Sequence, residues 1–216
     1  MNSLNLKQEN SRLAFLFSFI SGYIDVLGIL AIGGVFLSFM SGNSTRLGIH
    51  IVYHEWGEVL KYVLVLSTFV LGSFIGNMVC VGSHLQTIKR ILILDILGLS
   101  LALILQYTPL EPWSFPVLSF AMGIQNKAQV EVNNATIGKG FMTGVLYGIG
   151  EALARRVRNE TTWHEVSALL MTWLLFFLGS VVSTMILCVT NASIALLIII
   201  IILFIIYFGF KFYHTN

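Results

Sequence analysis

The chain has 216 residues, of which 56% are hydrophobic and only 10% charged, with a formal net charge of +2. Soluble domains carry about 25% charged residues, so this chain has too little polar surface to cover a water-soluble globule and must use lipid as part of its solvent. The small net charge comes with no basic stripe, which excludes a nucleic-acid footprint.

The polar start, "MNSLNLKQENSR", leads into an apolar run too long for a signal-peptide core and without a small-residue cleavage site, so the chain reads as mature. A spanning helix needs about 20 mostly apolar residues. Stretches meeting that demand lie at 13–40, 59–82, 91–107, 113–150 (interrupted), 163–189 and 193–212. The expected architecture is therefore an all-α polytopic helical bundle, one membrane domain over 1–216 with six crossings. Alternating crossings place Lys7, Arg12, Lys89, Arg90, Arg155, Arg156, Arg158 and Lys211 on one side. The positive-inside rule makes that side the cytoplasm, with both termini in it. Arg46 and Lys61 are the exceptions. Cys80 and Cys188 fall in apolar runs and are expected to be buried free thiols.

The second half echoes the first. Phe39-Met40-Ser41-Gly42 matches Phe141-Met142-Thr143-Gly144, and Gly48 matches Gly150. Upstream, Gly22 matches Gly123, one residue out of step, which sets Asp25 against Asn126. Downstream, "FVLGSFIG" from Phe69 resembles "FFLGSVVS" from Phe176. Repeats of 13–107 and 113–212 with three crossings each must enter the membrane from opposite faces. That is an inverted repeat, the internal architecture of many secondary transporters, which also builds channels and inert scaffolds.

Both halves interrupt their first apolar segment with polar residues. "SGNSTRLG" follows the first, and "IQNKAQVEVNNAT" breaks the second more openly. Non-helical backbone at membrane depth is tolerated only where protein or water covers it, and exposed helix N-termini there favour anions. Asp25 stands well inside the first span, where an ionisable group is costly and has to face an interior. Its candidate partners are Arg46 and Lys127; the structural alternative is a helix kink held by a carboxyl–backbone hydrogen bond. Asp95, one turn beyond Lys89 and Arg90, reads as an interfacial residue. Lys127, Glu131 and Lys139 belong either to the broken segment or to a solvated loop. The spacings Gly72-x-x-x-Gly76 and Gly144-x-x-x-Gly148 read as close helix packing. No histidine spacing suits a metal, and no nucleophile has a base beside it, so neither an enzyme nor a cofactor is expected.

Taken together, "GYIDVLGILAIGGVFLSFMSGNSTRLG" at 22–48, "GIQN" at 123–126 and "TGVLYGIGEAL" at 143–153 resemble the signatures of the YoaK-like family of uncharacterised bacterial membrane proteins. That resemblance covers nearly the whole chain and implies a multi-pass protein of the bacterial inner (plasma) membrane with about six spans. Two departures stand out. Such proteins usually carry an arginine shortly after Gln-Asn, where this chain reads "KAQVEV", and paired threonines where it has Lys139-Gly140.

The expected function is a small secondary transporter or permease for a small polar or anionic solute. Substrate contacts would come from Asp25, Ser41, Gly42, Asn43, Thr45 and Arg46 of the first half and Gln125, Asn126, Thr143 and Gly144 of the second. Rocking of one half against the other would alternate access. The alternative is a non-catalytic membrane scaffold whose polar interior only fixes helix packing. The bilayer is the expected partner, and a homo-oligomer is compatible with the sequence.

Overall fold

The computed structural model describes residues 3–128, 130–132, 135–137 and 142–213, with side chains for 13–83, 86–128 and 142–209. Eight helices run α1 (Ser3–Leu30), α2 (Met40–Val52), α3 (Trp56–Val79), α4 (His84–Leu105), α5 (Ser114–Gln125), α6 (Met142–Val157), α7 (Trp163–Val189) and α8 (Ala192–Tyr213). Between α5 and α6 a two-stranded ribbon pairs β1 (Val130–Val132) with β2 (Ala135–Ile137), antiparallel and with Glu131 opposite Thr136. The polar break in the second half is thus partly extended backbone, and it lies against α1 and α7. Lys139, Gly140 and Phe141 of the sequence repeat lie outside the described residues.

Among the described residues, four helical segments are long and apolar enough to cross a bilayer: 13–30 of α1, all of α3 and α7, and 192–209 of α8. The other two expected crossings differ for identifiable reasons. Helix α4 is 22 residues long but carries Lys89, Arg90 and Asp95. Helix α5 has only 12 residues, about 18 Å at helical rise, before the chain breaks at Asn126.

Local chemistry sets the helix ends. Helix α1 stops before Gly33 and Gly34, both at positive φ (82° and 70°), a region glycine enters without steric cost. The turn after α2 holds His54 at φ 57°, closed by a contact between the His50 ring Nδ1 and the Glu55 carboxylate. Helix α4 begins with a capping box: the Ser83 hydroxyl accepts from the Gln86 amide while the Gln86 side chain accepts from Ser83 N–H. The end of α6 is tied to the start of α7 by an ion pair between Arg155 and buried Glu165, whose second oxygen accepts from the Thr161 hydroxyl.

Two helix pairs carry the most extensive contacts, α1 with α7 and α3 with α5. Each is a close backbone approach through paired glycines. A Cβ built on Gly22 would lie 2.0 Å from Phe176 O, and one on Gly179 would lie 2.1 Å from Phe19 O. In the other pair, Gly72 would meet Phe120 O at 2.0 Å and Gly123 would meet Phe69 O at 2.2 Å. Small residues let helix backbones touch, which is the main source of attraction between helices in lipid. Each pair joins one helix from the first half of the chain to one from the second. Helix α2 packs on α3, α6 on α7, and α4 on both α5 and α8. Cys80 is buried as expected, but Cys188 is exposed, on a turn of α7 whose Ile186 and Leu187 are the residues that pack on the core.

Candidate functional site

The first break is a re-entrant loop folded back along α1. After Leu30 the chain turns at Ile32, whose amide donates to Leu27 O at 2.9 Å. It then runs back, with Val35 N–H donating to Gly28 O at 3.2 Å. Gly28 is required there, since a Cβ would lie 2.4 Å from Val35 O. The returning strand ends against Asp25, which is 3% exposed. The Asp25 carboxylate accepts from Leu37 N–H at 2.8 Å, from Ser38 N–H at 2.6 Å and from the Ser38 hydroxyl at 2.7 Å. Its partners are therefore loop amides and a hydroxyl of its own chain rather than Arg46 or Lys127. A carboxylate at this point also complements the positive end of α2, which starts two residues later.

A second clamp sits one turn into α2. Asn43, fully buried, accepts from Phe36 N–H at 3.1 Å and donates to Phe36 O at 2.6 Å, so both polar groups of that loop residue are satisfied. The remaining predicted residues of α2 face outward. Ser41, Thr45 and Arg46 are exposed and Gly42 is half-buried. The Thr45 hydroxyl donates to Ser41 O at 3.1 Å. Arg46 donates to Gly34 O at 3.2 Å and to the Tyr62 hydroxyl at 3.4 Å, and its guanidinium stands 5.6 Å from the centre of the Phe36 ring. All three contacts are with uncharged groups.

In the second half, Gln125 is 3% exposed at the end of α5. Its amide nitrogen donates to Phe17 O and to the Ser21 hydroxyl, both at 3.1 Å, and so bridges α5 to α1. Asn126 donates to Met122 O at 3.2 Å. Thr143 is exposed and Gly144 half-buried in the first turn of α6. The predicted residues thus fall into separate groups: Asp25 of α1 and Asn43 of α2 holding the re-entrant loop, Ser41, Thr45 and Arg46 outward on α2, Gln125 against α1, and Thr143 with Gly144 on α6.

Asp95 departs from its interfacial reading. It lies in the middle of α4, is 0% exposed, and neither carboxyl oxygen has a hydrogen-bond partner among the described residues. Proximity in sequence to Lys89 and Arg90 was misleading. The Arg90 guanidinium turns away to the carbonyls of Val79 and Val81, at 2.7 and 2.8 Å. The available signal was helical spacing: Ile88, Ile91, Leu92, Asp95, Leu99 and Ala102 form one buried stripe.

An apolar groove of about 450 Å³ lies between α3, α4 and α5, bordered by Leu97, Leu101, Trp113, Val117 and Phe120 and by none of the predicted site residues.

Apolar spanning helices, glycine-mediated helix packing and a re-entrant loop satisfied by its own side chains define an integral membrane protein. The chain belongs to the family described as "Protein of unknown function (DUF1275)", whose model matches residues 13–209. It is similar to UPF0700 transmembrane protein RA0705 of Rhizobium meliloti (strain 1021), 30% identical over 167 residues, covering 76% of this chain and 70% of that one. It is also similar to UPF0700 transmembrane protein YoaK of Bacillus subtilis (strain 168), 25% identical over 174 residues, covering 75% of this chain and 77% of that one. No solved structure gives a significant match.

Proposed function

We propose that the chain is a small permease for a small anionic solute in the bacterial inner membrane. It crosses six times as two inverted repeats, 13–107 and 113–212, with both termini in the cytoplasm. The observation that carries this reading is the exchange of partners between halves. Gly22 of α1 meets α7 and Gly123 of α5 meets α3, while Gly179 and Gly72 return the same contacts. Helices α2 and α6, each following a broken first element, pack on α3 and α7 in the same way. Such reciprocity is what a pseudo-two-fold axis in the membrane plane produces.

The same exchange changes the expected motion. The halves interlock, so they do not rock as units. The moving bodies are α1 with α6 and α7 on one side, and α2 to α5 on the other. The Gln125 bridge to α1 lies on the seam between them. Arg46 is the anion ligand on this reading, because its guanidinium is exposed and bound only to neutral groups. An arginine fork is suited to carboxylate or phosphate. Ser41 and Thr45 supply exposed hydroxyls on the same helix, and Thr143 an exposed hydroxyl at the equivalent place on α6.

Uptake by proteoliposomes of inorganic phosphate and a panel of labelled mono- and dicarboxylates tests this. At least one probe should accumulate, and Arg46→Gln should reduce its rate by about 10-fold or more, the loss of a charged hydrogen bond of roughly 1.5–3 kcal/mol. Absence of uptake across the panel, or an unchanged rate in the variant, removes the reading. A second reading, a non-catalytic scaffold, is favoured by the internal satisfaction of Asp25 and Asn43.

A further inference from the structure

Asp95 on α4 and Gln125 on α5 carry three buried acceptor oxygens for which the described residues offer no donor. The short 106–113 connection brings α5 back antiparallel along α4, and Gly98 meets Ala121, where a Cβ would lie 2.9 Å from Ala121 Cβ. From that contact, Asp95 lies about 4.5 Å back along α4 and Gln125 about 6 Å onward along α5, the same level to within about 1.5 Å. Helical rotation puts both on the inner side of the contact, opposite the groove residues Leu97, Leu101, Val117 and Phe120. Gln125 has its orientation fixed by α1. Its NH2 donates to Phe17 O and to the Ser21 hydroxyl, which leaves Oε1 to the seam. That oxygen and both carboxyl oxygens of Asp95 are buried without a partner among the described residues.

Two facing acceptors repel, and an ionised carboxylate without a donor is not sustained in a dry interior. One proton resolves both problems. We propose that Asp95 is a proton-binding site, its carboxylic acid O–H donating to the Gln125 side-chain carbonyl where α1, α4 and α5 meet. The bond formed is O–H···O, the proton is exchanged with water, and no charge remains in the core. The titratable groups on the packed elements are Tyr23 and Asp25 on α1, Cys80 after α3, Lys89 and Arg90 on α4 itself, Lys127 after α5 and Tyr207 on α8. Of these, Asp25 is taken up by its loop and Arg90 by backbone carbonyls. Helix α5 contributes no titratable side chain. This site goes beyond the permease reading and is readable with no solute present.

The test is infrared spectroscopy of the full chain, with carbon-13-labelled aspartate, in lipid nanodiscs near neutral pH. A protonated-carboxyl stretch is expected in the wild type. It should be lost in Asp95→Asn and moved to higher frequency in Gln125→Leu, which removes the acceptor. Asparagine is isosteric with the neutral acid, so the unfolding midpoint of Asp95→Asn should match the wild type. Absence of the band, its persistence in Asp95→Asn, or a clear fall in that variant's midpoint overturns the proposal. Disappearance of the band on replacing choline by sodium would also overturn it, in favour of a sodium site.

Discussion

Asp25 and Asp95 are both carboxylates shut away in the same apolar core, at 3% and 0% exposure. Around Asp25 the chain itself bends back to deliver two backbone amides and a hydroxyl, so the carboxylate organises a segment that would otherwise leave donors unmade. Around Asp95 the described residues deliver no donor, and in the arrangement we propose the neighbouring helix presents another acceptor. The first acid is a structural clamp that needs its charge. The second needs a proton and organises nothing. Burial alone does not tell a structural acid from a titrating one; the supply of donors does.

Substitutions can break this contrast, beginning with the clamp. Asp25→Ala leaves the buried amides of Leu37 and Ser38 unsatisfied, at about 1–3 kcal/mol each. The expected loss is therefore about 3 kcal/mol, with the re-entrant loop released. Denaturant unfolding in micelles reads the energy, and a cysteine placed at Leu37 should change from inert to readily alkylated. Equal alkylation in both backgrounds would show that the loop does not depend on Asp25.

Asn43→Ala should have an intermediate effect. It removes a pair of hydrogen bonds to Phe36 but keeps the Asp25 contacts, so about 1–2 kcal/mol is expected. The same unfolding assay measures it, and combining it with Asp25→Ala in a double-mutant cycle should reveal coupling, because both side chains hold one loop. Strict additivity would mean two independent clamps. Asp95→Asn is the smallest effect of the three, within about 0.5 kcal/mol of wild type, the range of substitutions that break no contact. A loss as large as that of Asp25→Ala would abolish the distinction.

Much of the clamp was legible in the sequence. Asp25 inside an apolar run pointed to a helix kink held by a carboxyl–backbone hydrogen bond as one of its two readings, and the polar stretch from Ser41 pointed to a break. The partner was not legible, because Leu37 and Ser38 contribute backbone amides, which leave no mark on residue identity. Asn43 was singled out as a polar residue near the break, yet its buried role against Phe36 depends on how far the loop folds back. Asp95 was misjudged because two neighbouring cations in sequence do not fix where a side chain points on a helix. Gln125 reads from the sequence as a substrate contact, and its hydrogen bonds to Phe17 O and the Ser21 hydroxyl on α1 are long-range events that the sequence does not show. Cys188 was expected to be buried, but an apolar run does not say which face of its helix turns to the core, and here Ile186 and Leu187 take that face.

By itself the sequence determined that this is a membrane protein of helices, that each half carries a polar interruption, and which residues recur in the two halves; it did not show that the first helix ends at Leu30. Those features follow from hydropathy, helix length and the positions of glycine and polar residues, all of which act locally. Only the tertiary structure decided that α1 pairs with α7 and α3 with α5, and that one buried acid is surrounded by donors while the other is not. Partner choice depends on which glycine-lined faces come within backbone distance, and donors and acceptors meet only once those faces have docked.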